Sequence, residues 1–396
     1  MQKKRVLILS EGFGSGHTQA GYALAEGMKK INPQIHTKVI ELGTFLNPTV
    51  APMILSAYRL TLSTQPGLVG MIYRKQHAKP LNRLTGLALH RIFYHHAAEV
   101  IRHLKPDMIV CTHPIPNTII SRLKAAGLNI PLYTVITDYD AHGAWINPAV
   151  DRYLVSTQSV RNLLLEHGVR TPKIQVTGIP VHPKFWTIED KAACREEMNL
   201  KPLPTVLIMG GGWGLMSNKS LFQHLHRWKD RVQLVFCTGN NQKLMSKLAN
   251  DPAYDHPNIT IVGQTKEINR WMDAADLLIT KPGGMTCTEG LSKGLPMLFC
   301  KSIPGQEEKN CEYFVNHGYA EELTSSLILD KWLTKIVAKD AMDTSELKRH
   351  ISDASIRNLF TESYSPNRCA KELVELLVSD QKRDVAFSAE YIPVSL

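Results

Sequence analysis

Two periodicities alternate along this chain. Short runs of apolar, largely β-branched residues stand at 5–10, 37–42, 108–112, 132–137, 152–156 and 174–177, and between them apolar positions fall three and four apart, as at Ala20, Leu24 and Met28. The runs are continuous rather than alternating, which predicts parallel strands covered on both faces by the intervening helices. After a proline-containing stretch at 177–183 the pattern restarts, with runs at 205–211, 233–238, 259–262, 276–280 and 296–300. The reading is an α/β protein of two doubly wound domains in tandem, at 1–180 and 204–362, joined by a linker at 181–203. A last helical pattern at about 366–379, within 363–396, is expected to cross back to the first domain. Ligands of such sheets bind beyond the carboxyl ends of the strands, so two facing domains form one cleft.

Composition agrees with two ordinary domains: 396 residues, 43% hydrophobic and 21% charged. No apolar run reaches the ~18 residues of a membrane span, and Met1 to Arg5 lead straight into a strand, which predicts a cytoplasmic chain. The seven cysteines lack C-x-x-C spacing, which argues against a zinc site or a disulfide framework. Charge is uneven. Residues 1–180 carry 20 Lys and Arg against 9 Asp and Glu, a balance of +11, whereas the remainder carries 26 against 27, a balance of −1. Between 50 and 105, eight basic residues and Glu99 are interleaved with apolar and aromatic side chains. That mixture suits an anionic membrane surface, with Tyr58, Arg59, Tyr73, Arg74 and Lys75 assigned to the contact, although part of the apolar set must pack on the domain. No recognisable nucleic-acid module accompanies the charge, so nucleic acid is not an expected partner.

The first strand runs into GFGSGHTQAGYALAEGM, Gly12 to Met28, a glycine-rich turn opening a helix. A dinucleotide fingerprint starting at Gly12 and Gly14 would need a third glycine where His17 stands, and an imidazole would crowd a pyrophosphate there. Glu41 still lies where such a fold puts its ribose-binding acid, so an NAD(P)-dependent oxidoreductase stays an alternative. In the second half, MGGGWG at 209–214 and KPGGMT at 281–286 each end a strand and open a helix. Converging backbone amides and helix ends hold phosphate without a metal. Glu289, in the second turn after the latter loop, could accept both hydroxyls of a ribose, whereas an isolated helix glutamate is usually solvated. PGQEEKN at 304–310 offers further paired donors and acceptors at a strand-to-helix junction. Asp138-Tyr-Asp140 matches a D-x-D metal motif, but tandem domains with metal-free phosphate loops speak against that use. Asp138 is read as a cleft residue, and His113 either as an acceptor contact or as a structural histidine.

In order, Gly16-His17, Thr112-His-Pro-Ile-Pro116, Thr137-Asp138, Trp145-Ile-Asn-Pro148, Val176-Thr-Gly-Ile-Pro180, Lys281-Pro-Gly-Gly284 and Pro304-Gly-Gln-Glu307 resemble the diacylglycerol glycosyltransferases. These are the bacterial processive diacylglycerol glucosyltransferases and plant monogalactosyldiacylglycerol synthases of glycosyltransferase family 28. The resemblance spans roughly residues 5–320. It implies a GT-B fold of two Rossmann-like domains facing a cleft, a UDP-sugar donor on the C-terminal domain, a lipid acceptor on the N-terminal domain, and inversion. Carried over by position, His17 is the general base and Glu289 the ribose ligand. Gly211, Gly212 and Gly214 with Gly283, Gly284 and Thr286 form the diphosphate cradle. Gln306 and Glu307 contact the donor sugar, Gly263 lies near the uracil, and Gly16, Pro282 and Asn310 complete the UDP-sugar set.

Residue chemistry points the same way. An acceptor hydroxyl must lose its proton as the anomeric bond forms, and a neutral imidazole at a helix N-terminus can take it. The expected activity is transfer of glucose or galactose from UDP-glucose or UDP-galactose to a lipid hydroxyl, diacylglycerol, at the cytoplasmic membrane face. No cofactor or metal is expected, the UDP-sugar being a substrate. A soluble acceptor on the same fold and a non-catalytic UDP-sugar sensor are further alternatives.

Overall fold

Along β1 (Lys4–Ser10), Val6 and Ile8 turn to one face, Leu7 and Leu9 to the other, and all four are buried. Both faces are covered, which is why the run does not alternate. The computed structural model describes residues 3–64, 96–210, 219–300, 302, 305–341 and 364–389. Within them, β1 joins β2 (Ile35–Glu41), β3 (Met108–Cys111), β4 (Leu132–Val135), β5 (Arg152–Val155) and β6 (Ile174–Val176) in a parallel sheet of order β2-β1-β3-β4-β5-β6. A second parallel sheet holds β7 (Thr205–Met209), β8 (Gln233–Cys237), β9 (Ile259–Val262), β10 (Leu277–Thr280), β11 (Met297–Phe299) and β12 (Ala320–Glu322), in the order β12-β11-β10-β7-β8-β9. Strand order reverses between β1 and β3 and again between β7 and β10. Loops leaving those strands diverge, and a crevice opens at each reversal.

β12 was absent from the pattern of apolar runs. Its three residues include two acids, and as an edge strand it is half open to solvent, so neither length nor hydrophobicity marks it. The linker also differs from expectation. Lys191–Glu197 is a helix, and Lys191 (2.6 Å) and Arg195 both bind Asp276 at the start of β10, which makes this stretch part of the second domain.

Val6 and Ile8 pack with Leu24 and Met28 of the Ser15–Ile31 helix and with Cys369, Leu373 and Leu377 of the Arg368–Ala389 helix. The last described helix thus covers the first sheet. On the other face Leu7 and Leu9 meet Ile101, Ile119 and Trp145. Gly178, just after β6, has φ +79°, and a side chain there would collide with the ring of Tyr364, whose hydroxyl donates to the Ile179 carbonyl at 3.1 Å. The returning chain therefore clamps the interdomain connection.

Between the domains the principal wedge is Tyr139, in the loop after β4. Its ring stacks on Tyr313 at 4.6 Å and meets Phe314 edge-on at 4.7 Å, while its hydroxyl bonds Thr288 Oγ1 at 2.7 Å. Aromatic pairs of this kind contribute about 0.5–1.5 kcal/mol each beyond area burial. One apolar cluster runs through Ala20 and Tyr139 of the first domain and Leu207, Met285 and Phe314 of the second.

Candidate active site

The carboxyl ends of the two sheets enclose a cavity of about 650 Å³. That lies within the ~300–1,000 Å³ of small-molecule sites. Phe13, Gly16, His17, Tyr58 and Asp138 line it from the first domain, and Gly263, Gly283, Gly284, Thr286, Glu289, Gln306 and Glu307 from the second.

His17 occupies the first turn of the Ser15–Ile31 helix, whose N-cap, Gly14, offers no side chain, so the first amides are left for other partners. Its Nδ1 lies 2.6 Å from Thr137 Oγ1. Burial, then the charge of His142, lower its pKa to about 4 against a pull from the Thr112 carbonyl, so the ring is neutral at neutral pH. His113 packs edge-on against His17 at 4.8 Å, but it is buried behind the cavity wall. Its Nδ1 accepts from the Ile115 amide at 3.2 Å and caps the Pro114–Ala125 helix. Of the two readings open for His113, the hydrogen bond at Nδ1 is a structural use of the ring.

The Gly284–Ser292 helix also starts without a side-chain cap, at Gly283, and its first turn abuts the His17 helix: a Cβ on Gly16 would lie 3.4 Å from Met285 Cγ. Backbone amides and dipole at this end favour an anion. Beside it Lys281 Nζ bonds Glu307 Oε1 at 2.7 Å. Glu289 faces the cavity from the second turn, and burial raises its pKa to about 8. A carboxyl near that value can both donate to and accept from a diol.

A Cβ on Gly284 would lie 2.5 Å from the Thr137 carbonyl and 3.2 Å from Asp138 Oδ1, so the close approach of the domains requires glycine. Asn310 fastens the same contact. Its Oδ1 accepts from the Tyr139 amide at 2.9 Å, and its Nδ2 donates to the Pro282 carbonyl at 3.1 Å and to Asp138 Oδ1 at 3.4 Å. Asn310 and Pro282, expected as donor contacts, thus have these groups engaged in an interdomain tie. Asp138 is buried, and burial raises its pKa to about 7 although Asn310 and Gln306 pull it down. Among the described residues no three His, Cys, Asp or Glu side chains gather as a metal site.

Two expectations change place. Tyr58, assigned to the membrane, turns inward, its ring edge-on to Phe13 at 5.3 Å in the cavity wall. Glu41, the acid of the dinucleotide alternative, accepts from Thr18 Oγ1 at 2.7 Å and does not line the cavity, which leaves that alternative without its ribose ligand. Gly211, Gly212, Gly214, Tyr73, Arg74, Lys75 and the side chain of Arg59 lie outside the described residues. Phe13 and Thr137 were given no role in the sequence reading. A bulky aromatic inside a glycine turn is a signal for the first, whereas Thr137 stands 120 positions from its partner His17 and nothing local marks the pair.

Two doubly wound domains that enclose one cavity at the carboxyl ends of their strands form a GT-B architecture. The description of the monogalactosyldiacylglycerol (MGDG) synthase family matches residues 17–181, and that of the glycosyltransferase family 28 C-terminal domain matches 205–362. The chain is 32% identical over 336 residues to the processive diacylglycerol β-glucosyltransferase of Staphylococcus saprophyticus, covering 80% of this chain and 81% of that one. To the Bacillus subtilis protein of the same name it is 29% identical over 361 residues, or 90% and 92% of the two chains. Among solved structures, HepE of Anabaena in complex with UDP is similar in fold, with a TM-score of 0.57 at 14% identity over 95% of this chain and 100% of that one. The chain belongs to the diacylglycerol glycosyltransferases of glycosyltransferase family 28.

Proposed function

We propose that this chain transfers a hexose from UDP-glucose or UDP-galactose to the hydroxyl of diacylglycerol, inverting the anomeric carbon, with His17 as general base. The supporting observation is that a neutral imidazole and the uncapped start of the Gly284–Ser292 helix line the same cavity. The donor diphosphate lies on the amides of the Gly283–Gly284 turn beside Lys281, without a metal. A partly buried helix end contributes up to ~2 kcal/mol to such an anion. Glu289 holds the ribose, and Gln306 and Glu307 the sugar hydroxyls. The acceptor hydroxyl enters from the His17 side, opposite the diphosphate. As its oxygen bonds the anomeric carbon its proton passes to His17, the bond to the diphosphate oxygen breaks, and UDP leaves with the electron pair. A single displacement of this kind inverts the centre. An imidazole of pKa about 4 is a weak base, but the charge of the docked diphosphate raises it toward the optimum near the working pH.

For the lipid acceptor, support comes from the names of the relatives and from the Val50–Thr64 helix, where Met53 and Leu60 are 72% and 64% exposed. Among the described residues no helix is long and apolar enough to cross a membrane, so contact with the bilayer is peripheral in this proposal. Incubation with each UDP-sugar and diacylglycerol vesicles should yield hexosyl-diacylglycerol by mass spectrometry. UDP-sugar binding without a lipid product from any acceptor would sink the assignment, and failure to float with anionic vesicles at low salt would favour a soluble acceptor.

A further inference from the structure

We propose that Thr137 is the positioning residue of His17: its hydroxyl accepts from Nδ1–H, which leaves Nε2 as the proton-accepting nitrogen, and docking of the donor domain holds it in place. The inference rests on the reading of His17 as the base. A neutral imidazole carries one N–H and one lone pair, and the hydrogen bond at one nitrogen decides which nitrogen is left to react. Thr137 Oγ1 is 2.6 Å from Nδ1. The opposite edge of the ring faces the turn that lines the cavity, since a Cβ on Gly14 would be 3.5 Å from Cδ2 and 3.9 Å from Nε2. His113 and His142 are the titratable neighbours of the ring. Both are bases, and His113 has its Nδ1 occupied by the Ile115 amide, so neither supplies the negative charge that would orient His17. The Thr112 carbonyl also draws on the ring and can only accept, so it competes for the single N–H of the neutral imidazole; in this proposal that N–H goes to Thr137 Oγ1, at 2.6 Å from Nδ1.

Residues 137–139 touch the other domain at each position. The Thr137 carbonyl abuts Gly284, the Asp138 carboxylate accepts from Asn310, and the Tyr139 amide donates to it. Asn310 in turn bonds the carbonyl of Pro282 in the phosphate turn. The group that orients the base is therefore clamped by the turn that receives the donor. These contacts hold the backbone of residues 137–139 from the second domain, while the hydrogen bond between Thr137 and His17 lies within the first.

Thr137→Val keeps the shape and removes the hydroxyl, and Thr137→Ser restores it. For the valine variant kcat should fall about 10- to 100-fold with KM for the UDP-sugar unchanged. The acidic limb of the kcat profile should move to lower pH, because valine cannot accept from the imidazolium and so lowers its pKa. Serine should recover both. A valine variant with parental kcat and limb overturns the proposal. So does a fall in kcat that leaves the limb in place and is not rescued by serine, which would mark a packing effect. His17→Ala is the control: turnover retained there removes the base reading itself, whereas an inactive alanine variant beside an unaffected valine variant removes the role of Thr137 alone.

Discussion

His17 carries its imidazole at a pKa of about 4 and Glu289 its carboxyl at about 8, both displaced chiefly by burial in the cleft. Burial disfavours the charged form of each, so the imidazole is free of its extra proton and the carboxyl keeps its own. His17→Ala should lower turnover about 10²- to 10⁴-fold while UDP still binds in calorimetry, and loss of both together would assign His17 to the donor instead. Because the folded pKa of Glu289 lies above its ordinary 4.5, its contribution to stability is present below that value and is lost as pH rises through about 8. Glu289→Gln cannot ionise. Its melting temperature should rise relative to the parent across that window in scanning calorimetry, while UDP affinity drops about 10-fold with the carboxyl's hydrogen bonds to the ribose gone. His17, Glu289 and Gln306, singled out by residue type and motif order, all line the cavity. Thr137 was not, since its partner comes from another strand, and Tyr58 was misplaced because hydropathy does not tell a cavity wall from a membrane face.

At the scale of elements, glycine at the first position of the Gly284–Ser292 helix is a poor choice for the helix and a necessary one for the contact. Alanine is better than glycine by about 0.8–1 kcal/mol in a helix interior, and at the helix end the preference is smaller. Its Cβ, however, would meet the Thr137 carbonyl at 2.5 Å. Gly284→Ala should accordingly reduce kcat without lowering the melting temperature of the second domain, as read by steady-state kinetics and calorimetry. A parental kcat would mean that the domains do not need this approach. Strands buried on both faces announced themselves as continuous apolar runs, and the helices between them by their spacing. β12 and the Lys191–Glu197 helix did not, because each is short and takes its place from neighbours, the one from β11 and the other from Asp276.

Over the whole molecule, the C-terminal helix belongs to the N-terminal domain: Leu373 is fully buried against Val6 and Ile8. Leu373→Ala should destabilise the chain by about 2–5 kcal/mol in urea unfolding, the range for a large-to-small change in a packed core. A change below 1 kcal/mol would mean the helix rests on the sheet loosely. The sequence by itself determined the number and kind of most strands, the tandem arrangement, the glycine turns and the place of His17 at the start of the first helix, because hydrophobic period and turn chemistry act over a few residues. Tertiary structure alone decided which face of each turn meets the other domain, that Asn310 ties the domains at the cavity wall, and that Thr137 reaches His17. Those relations join positions far apart in the chain, and they exist only once two reversals of strand order bring the loop ends to one cleft.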